Sequence, residues 1–282
     1  MVWLIVLFLI PFIIVFKISF SEVRLAMPPY APLFEWLGGK LVAVKLNFAN
    51  YGFLFTDALY VSSYLYSLKV AAVSTLLCLL LGYPMAYAIA RSTATSRNVL
   101  LMLIVLPFWT SFLLRVYAWI GLLKSNGVIN NVLMSAGIIH EPLTMLQTDF
   151  AVYIGIVYSY LPFMILPLYS NLEKHDLTLI EAAADLGARP VTAFLRITLP
   201  QSLPGIIAGS LLVFIPAVGE YVIPSLLGRT DQLMIGRVLS DEFFENRDWP
   251  VASAVAILIL LALVIPIMLF QYFQRRELEA SK

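Results

Sequence analysis

The chain has 282 residues, 61% of them hydrophobic and 12% charged, with a formal net charge of +1. Soluble domains run at about 45–50% apolar and about 25% charged residues, so this composition describes an integral membrane protein and excludes a basic nucleic-acid-binding surface. One cysteine, Cys78, and two histidines, His140 and His175, exclude a disulfide framework and a Cys/His metal cluster.

Crossing about 30 Å of hydrocarbon takes roughly 20 apolar residues. Six segments meet that length: 1–20, 70–90, 99–123, 150–170, 203–227 and 250–273. The first has no basic lead and no small-residue cleavage site before Lys17, so it reads as a span rather than a signal peptide. The predicted fold is all-α, one domain of six transmembrane helices with both termini on the same side. Between the first two spans, residues 21–69 hold Tyr30, Phe34, Trp36, Tyr51, Phe53 and Phe55. That connection is expected to lie along the membrane surface and to contain a short interfacial helix. Residues 124–149, with Gly127, Asn130, Asn131 and Gly137, are expected to form short helical pieces broken by turns. Pro11, Pro84, Pro107, Pro162, Pro167, Pro204, Pro216 and Pro266 fall in the spans. Each removes a backbone hydrogen bond, which serves ordinary packing or kinks a helix that must open and close.

Basic residues alone barely orient the chain, because the two sides carry nearly equal numbers. Their density favours an inner 91–98 connection, with Arg91 and Arg97 in eight residues. The acids agree: Glu22, Glu35, Asp57, Glu141, Asp149, Asp231, Asp241, Glu242, Glu245 and Asp248 then all fall outside. Both termini are placed inside.

Between the fourth and fifth spans lies EAAADLGARPVTAFLRITLP, residues 181–200. Glu181 to Leu186 reads as a short helix. Gly187 allows a sharp turn with positive φ, Pro190 suits the first turn of a second helix, and Pro200 is expected to end it. Ala182, Ala183 and Ala184 admit close approach of a partner, and Glu181 and Asp185, one turn apart, form an acidic ridge.

The pattern is Glu-Ala-Ala, three residues, Gly187, nine residues, then Ile-x-Leu-Pro. It resembles the cytoplasmic loop with which membrane subunits of ABC importers dock on a separate ATPase. The stretches LPFWTSFLLRVYAWIGLLKSNGVINN (106–131), FIPAVGEYVIPSLLG (214–228) and MIGRVLSDEFFENRDWPVASAVA (234–256) are similar to polyamine-importer permeases. The likeness is greatest to the putrescine-type subunit, with the spermidine-preferring one next, and covers essentially the whole chain apart from an N-terminal cytoplasmic lead. The resemblance implies the type I ABC importer permease fold, N-in and C-in, in the bacterial cytoplasmic membrane. It implies a heterodimer with a sister permease, two ATPase subunits and a periplasmic polyamine-binding protein. Its docking loop maps onto Glu181, Ala182, Ala183, Asp185, Gly187 and Arg189. The chain has no Gly-rich Lys-Ser/Thr phosphate loop, so ATP and Mg belong to the partner ATPase, and no cofactor or metal is expected on this chain.

A polyamine needs carboxylates for its amines and aromatic faces for cation–π contact and methylenes. Glu220, beside Tyr221, is the carboxylate that falls clearly inside a span, where such a group is costly and a functional suspect. At ~1.5 Å per residue it lies ~25 Å along the fifth span, and Arg115 lies ~24 Å along the third. Two readings stay open: a structural Glu220–Arg115 pair, or a Glu220 that touches substrate and exchanges with Arg115. Trp109 and Tyr117 are further pathway candidates. Trp119, about 80° from Trp109 around a helix, suits the interfacial belt. The outer run with Asp241, Glu242, Glu245 and Asp248 is a solvated face, a funnel for polycations, or a dock for the binding protein. A membrane enzyme would need a paired catalytic constellation, and His140 and His175 lie on opposite sides. A secondary transporter would not need the docking loop. An inorganic anion as cargo is disfavoured by the outer acids.

Overall fold

The computed structural model describes residue 3, residues 5–37 and residues 40–280. A π turn, Ile5–Leu9, leads into α1, Ile10–Ser19. After a two-stranded hairpin come α2 (Ala49–Thr56), α3 (Ala58–Ala90), α4 (Ala94–Val105), α5 (Phe112–Leu123) and α6 (Val128–Ser135). Then follow α7 (Asp149–Leu172), α8 (Thr178–Asp185), α9 (Pro190–Gln201), α10 (Leu203–Val218), α11 (Val222–Leu227), α12 (Ile235–Phe244) and α13 (Trp249–Ala280).

Helices α3 and α7 are each long and apolar enough to cross a bilayer. Two bent pairs, residues 94–109 with 112–135 and Pro190–Gln201 with Leu203–Val218, meet the same test as broken spans. Shorter apolar helices lie at Ile5–Ser19 and Trp249–Val264. All six fall on the hydrophobic segments of the sequence.

Four details depart from the sequence reading. The all-α expectation misses the hairpin: β1 (Phe34–Leu37) pairs antiparallel with β2 (Lys40–Val44), and Leu37 lies opposite Lys40. Helix α3 begins at Ala58, so residues 58–69 are helical rather than part of an outer connection. The segment expected as the third span is not one straight helix. It stops at Val105, passes through a 3-10 turn at Leu106–Trp109 and restarts at Phe112, with a bend of 91°. Pro107 supplies no N–H, and its carbonyl accepts the Thr110 hydroxyl at 2.8 Å. The segment expected as the fifth span also breaks, since α10 ends two residues after Pro216 and α11 begins at Val222. By contrast α3 runs unbroken through Pro84, and α7 through Pro162 and Pro167.

The chain divides into two compact units. The first combines residues 1–67, Val218–Tyr221 and 232–282. Its core is Leu54, Tyr60, Ile235, Val238, Val251, Ala254 and Val255. Buried polar groups are matched there: Asn50 donates to the carbonyls of Ser19 and Ser21 at 2.9 Å, and the Ile235 N–H donates to Ser67 Oγ at 2.7 Å. Unmatched, each would cost about 1–3 kcal/mol.

The second unit, residues 68–217 and 222–231, packs around Cys78, Ala86, Ile89, Met164, Ile165, Leu168, Leu172 and Val213. Asn130, expected at a turn, is fully buried in α6. It donates to the carbonyls of Lys124 and Leu143 and accepts the Leu143 N–H, stapling the following loop. Thr148 caps α7 by accepting the Ala151 N–H at 3.3 Å.

Candidate functional site

Residues 178–201 form a helix–turn–helix. Asp176 accepts the Thr178 N–H at 3.0 Å, satisfying an end group of α8. Hydrogen bonds from Thr178 hold its carboxyl below the usual range. At the other end Gly187 has φ +81°, with its N–H on Ala184 O and the Ala188 N–H on Ala183 O. This is a Schellman closure, which an L side chain would strain. Arg189 is extended and Pro190 opens α9. The expected stop at Pro200 is not observed: α9 runs through a π turn at Phe194–Thr198 to Gln201, and the chain then bends by 62° into α10. Pro200 falls in the short α turn Leu199–Gln201 that directly follows the π turn.

Spacing puts Thr178, Glu181, Ala182 and Asp185 on one stripe of α8, and all four are exposed. Ala183 is half-buried, with Ile180 on its side of the helix. Apolar side chains flank the acidic stripe: Leu186 is 88% exposed and Val191 68%. Arg189 is exposed as well. His175 Nε2 lies 3.2 Å from Asn171 Oδ1, and burial lowers its pKa.

Glu220 is buried, at 7% exposure, and lies in the break between α10 and α11 rather than inside a helix. Counting depth along a straight helix therefore fails for Glu220, and equally for Arg115 beyond the 91° bend. The break is held within the first unit by close approach of α12. A Cβ on Gly236 would stand 2.3 Å from Gly219 O and 2.9 Å from Glu220 O, so only glycine fits there. Beside this contact a cavity of about 320 Å³ is lined by Tyr221, Ser240, Phe244, Leu239, Gly219 and Gly236, among others. Tyr221 is half exposed and Phe244 72% exposed, so two ring faces are open there.

In the second unit, the Arg115 guanidinium lies 5.5 Å from the Phe108 ring centroid and 5.8 Å from that of Phe112. Its Nε and Nη1 are buried and have no hydrogen-bond partner among the described residues. Trp109, at the end of the 3-10 turn, is 76% exposed, and Tyr117 on α5 is 55% exposed. Trp119 packs edge-on against Tyr158 at 5.6 Å.

The acids of the 241–248 run have separate tasks. Glu242 accepts the Tyr60 hydroxyl at 2.7 Å and the Asn246 amide at 3.0 Å. Asp248 caps α13 by accepting the Val251 N–H at 3.0 Å. Asp241 lies 3.9 Å from Arg237. Burial raises the Asp241 carboxyl above the ordinary range, Arg237 opposes this, and Glu245 and Glu242 add to it. Asp248 is likewise raised by burial. Glu245 is exposed. Sequence reasoning missed the capping role of Asp248, which Asp-Trp-Pro before a long apolar run does signal.

Comparison with known proteins places this geometry. The chain is 40% identical over 276 residues to the spermidine/putrescine transport system permease protein PotB of Haemophilus influenzae, covering 98% of this chain and 91% of that one. It is 43% identical over 226 residues to the protein of the same name from Escherichia coli K12, covering 80% and 82%. Its fold matches a chain of a solved bacterial ABC transporter involved in import of the acidic polysaccharide alginate, with a TM-score of 0.67 at 18% identity, covering 98% and 92%. Residues 78–279 match the family described as binding-protein-dependent transport system inner membrane component, and the chain belongs to that family.

Proposed function

We propose that this chain is the membrane-spanning permease subunit of an ATP-driven ABC importer for polyamines, spermidine or putrescine, in a bacterial cytoplasmic membrane. The observation that carries the reading is the 40% identity across 98% of the chain to a permease named for those two cations. In this reading the six apolar segments span the bilayer with both termini inside. A sister permease completes the pathway, two ATPase subunits supply the power, and a periplasmic binding protein delivers cargo.

Glu181, Ala182, Asp185, Gly187 and Arg189 dock on the ATPase, with Leu186 and Val191 as its apolar contacts. Ala183 supports the turn from behind. ATP binding and hydrolysis at the partner displace this loop, and the bend between α9 and α10 passes the displacement to the fifth span. Glu220 and Tyr221 form a cation station, because a buried carboxylate beside open aromatic faces matches an ammonium on a methylene chain. Arg115, Trp109 and Tyr117 are further pathway residues, carried by the second unit. Asp241, Glu242, Glu245 and Asp248 bias the outer mouth toward polycations.

The test is polyamine uptake into proteoliposomes holding the full complex, comparing wild type with Glu220→Gln. A loss of uptake in a normally assembled complex supports the cation station. Unchanged uptake makes Glu220 a structural residue.

A further inference from the structure

Just beyond the end of α1 the chain closes a small finger. The Arg24 N–H donates to Pro29 O at 3.3 Å, the Ala31 N–H donates to Glu22 O at 2.9 Å, and Val23 bridges Tyr30. At its tip Leu25 is fully exposed and Met27 is 79% exposed. Two exposed apolar side chains on one turn are suited to enter an apolar phase such as the acyl boundary of a bilayer.

On the membrane reading of α1 and α13, the finger lies where these two helices leave the hydrocarbon. Helix α1 ends at Ser19 and α13 begins at Trp249. The Tyr30 ring lies 6.2 Å from Trp249, which stacks on Phe243 at 4.9 Å. Trp and Tyr concentrate at the headgroup level. Cations gather at the same place. A cavity of about 400 Å³ is lined by Lys17, Arg24 and Tyr30, and one of about 350 Å³ by Arg24, Met27 and Arg247. Lys17, in the last turn of an apolar helix, holds its ammonium 5.8 Å from the Phe34 ring centroid, and its long stem lets the charge reach a headgroup. Of the nearby carboxylates, Asp248 is committed to the Val251 N–H, while Glu22 stands in the finger's own stem.

We propose that residues 23–30 anchor the protein to an anionic phospholipid. The phosphodiester sits between Lys17 and Arg24 with Arg247 beside it, and Leu25 and Met27 enter the acyl region. This assigns a task to basic residues on the outer side, where they would otherwise repel a polycation. The anchor rests on the membrane reading of α1 and α13 and is independent of the cargo.

The test uses the complete purified complex and two readouts that do not involve transport. In native mass spectrometry with phosphatidylglycerol, wild type retains a bound lipid, and the Lys17→Gln/Arg24→Gln variant binds it about 30-fold more weakly, as loss of two charges near an anionic surface requires. Equal retention by the variant overturns the site, and displacement of the lipid by inorganic phosphate assigns it to a free anion instead. In nanodiscs, an environment-sensitive probe on Leu25→Cys, with native Cys78 buried and unreactive, shows blue-shifted emission quenched by spin-labelled lipid. Water-like emission that shifts only when the binding protein is added overturns the anchor and makes the finger a protein dock.

Discussion

Gly236→Ala places a methyl group where the backbone of residues 219 and 220 already sits. The added Cβ would be 2.3 Å from Gly219 O and 2.7 Å from its carbonyl carbon, and real Cβ atoms essentially never come within 3.0 Å of such a neighbour. The two backbones must therefore separate by at least 0.7 Å, the difference between 3.0 and 2.3. Neither is a flexible side chain, and α12 is pinned at both ends, by Ser67 to Ile235 and by Tyr60 to Glu242. Overpacking of this kind costs about 1–3 kcal/mol. The control is Gly121→Ala in α5, where an added Cβ meets nothing within 4 Å. There the usual gain of about 0.4–1 kcal/mol from a stiffer unfolded chain applies. Thermal unfolding of the purified chain should show the two substitutions moving the midpoint in opposite directions. Gly236→Ala as stable as wild type would refute the contact and the close packing of α12 on the Glu220 peptide.

Further outcomes follow from the same geometry. Gly187→Val forces a β-branched residue to φ +81°; it should cost about 1–2 kcal/mol locally and reduce co-purification of the ATPase while leaving the rest of the chain folded. Glu181→Lys with Asp185→Lys should lower that co-purification further without changing the unfolding midpoint, and an unchanged ATPase yield would contradict the docking stripe. Neutralising Asp241, Glu242 and Glu245 with the corresponding amides should flatten the salt dependence of uptake if they steer polycations; an unaltered dependence would leave them a solvated face. Burial lowers the His175 pKa, so the unfolded chain binds the proton more readily. Its contribution to stability is complete above the ordinary histidine value of about 6.5 and is lost as pH falls through the lower folded value. A pH series of unfolding midpoints should show this acid limb, and His175→Gln should remove it.

Hydropathy made the apolar segments legible because lipid-facing helices need continuous apolar runs. Gly187 and Pro190 marked the helix–turn–helix because each has a backbone requirement that few residues meet. The breaks were harder to read. Pro84, Pro162 and Pro167 are carried within helices, whereas Pro107 sits at a 91° bend. At the bend Pro107 O takes the Thr110 hydroxyl, a local contact that a count of prolines does not reveal. The hairpin had an available signal, the Gly-Gly pair between FEWL and KLVAV. Glu220 was found by its charge, but the close approach of Gly236, sixteen residues later, to its peptide is made by packing alone.

The most direct test of the account is substrate-stimulated ATP hydrolysis by the full complex in proteoliposomes, with binding protein loaded with putrescine or spermidine. The account predicts stimulation by at least one of them, lost when the Glu181–Arg189 loop is disrupted. No stimulation by either polyamine, in a complex whose ATPase remains bound, would contradict the cargo.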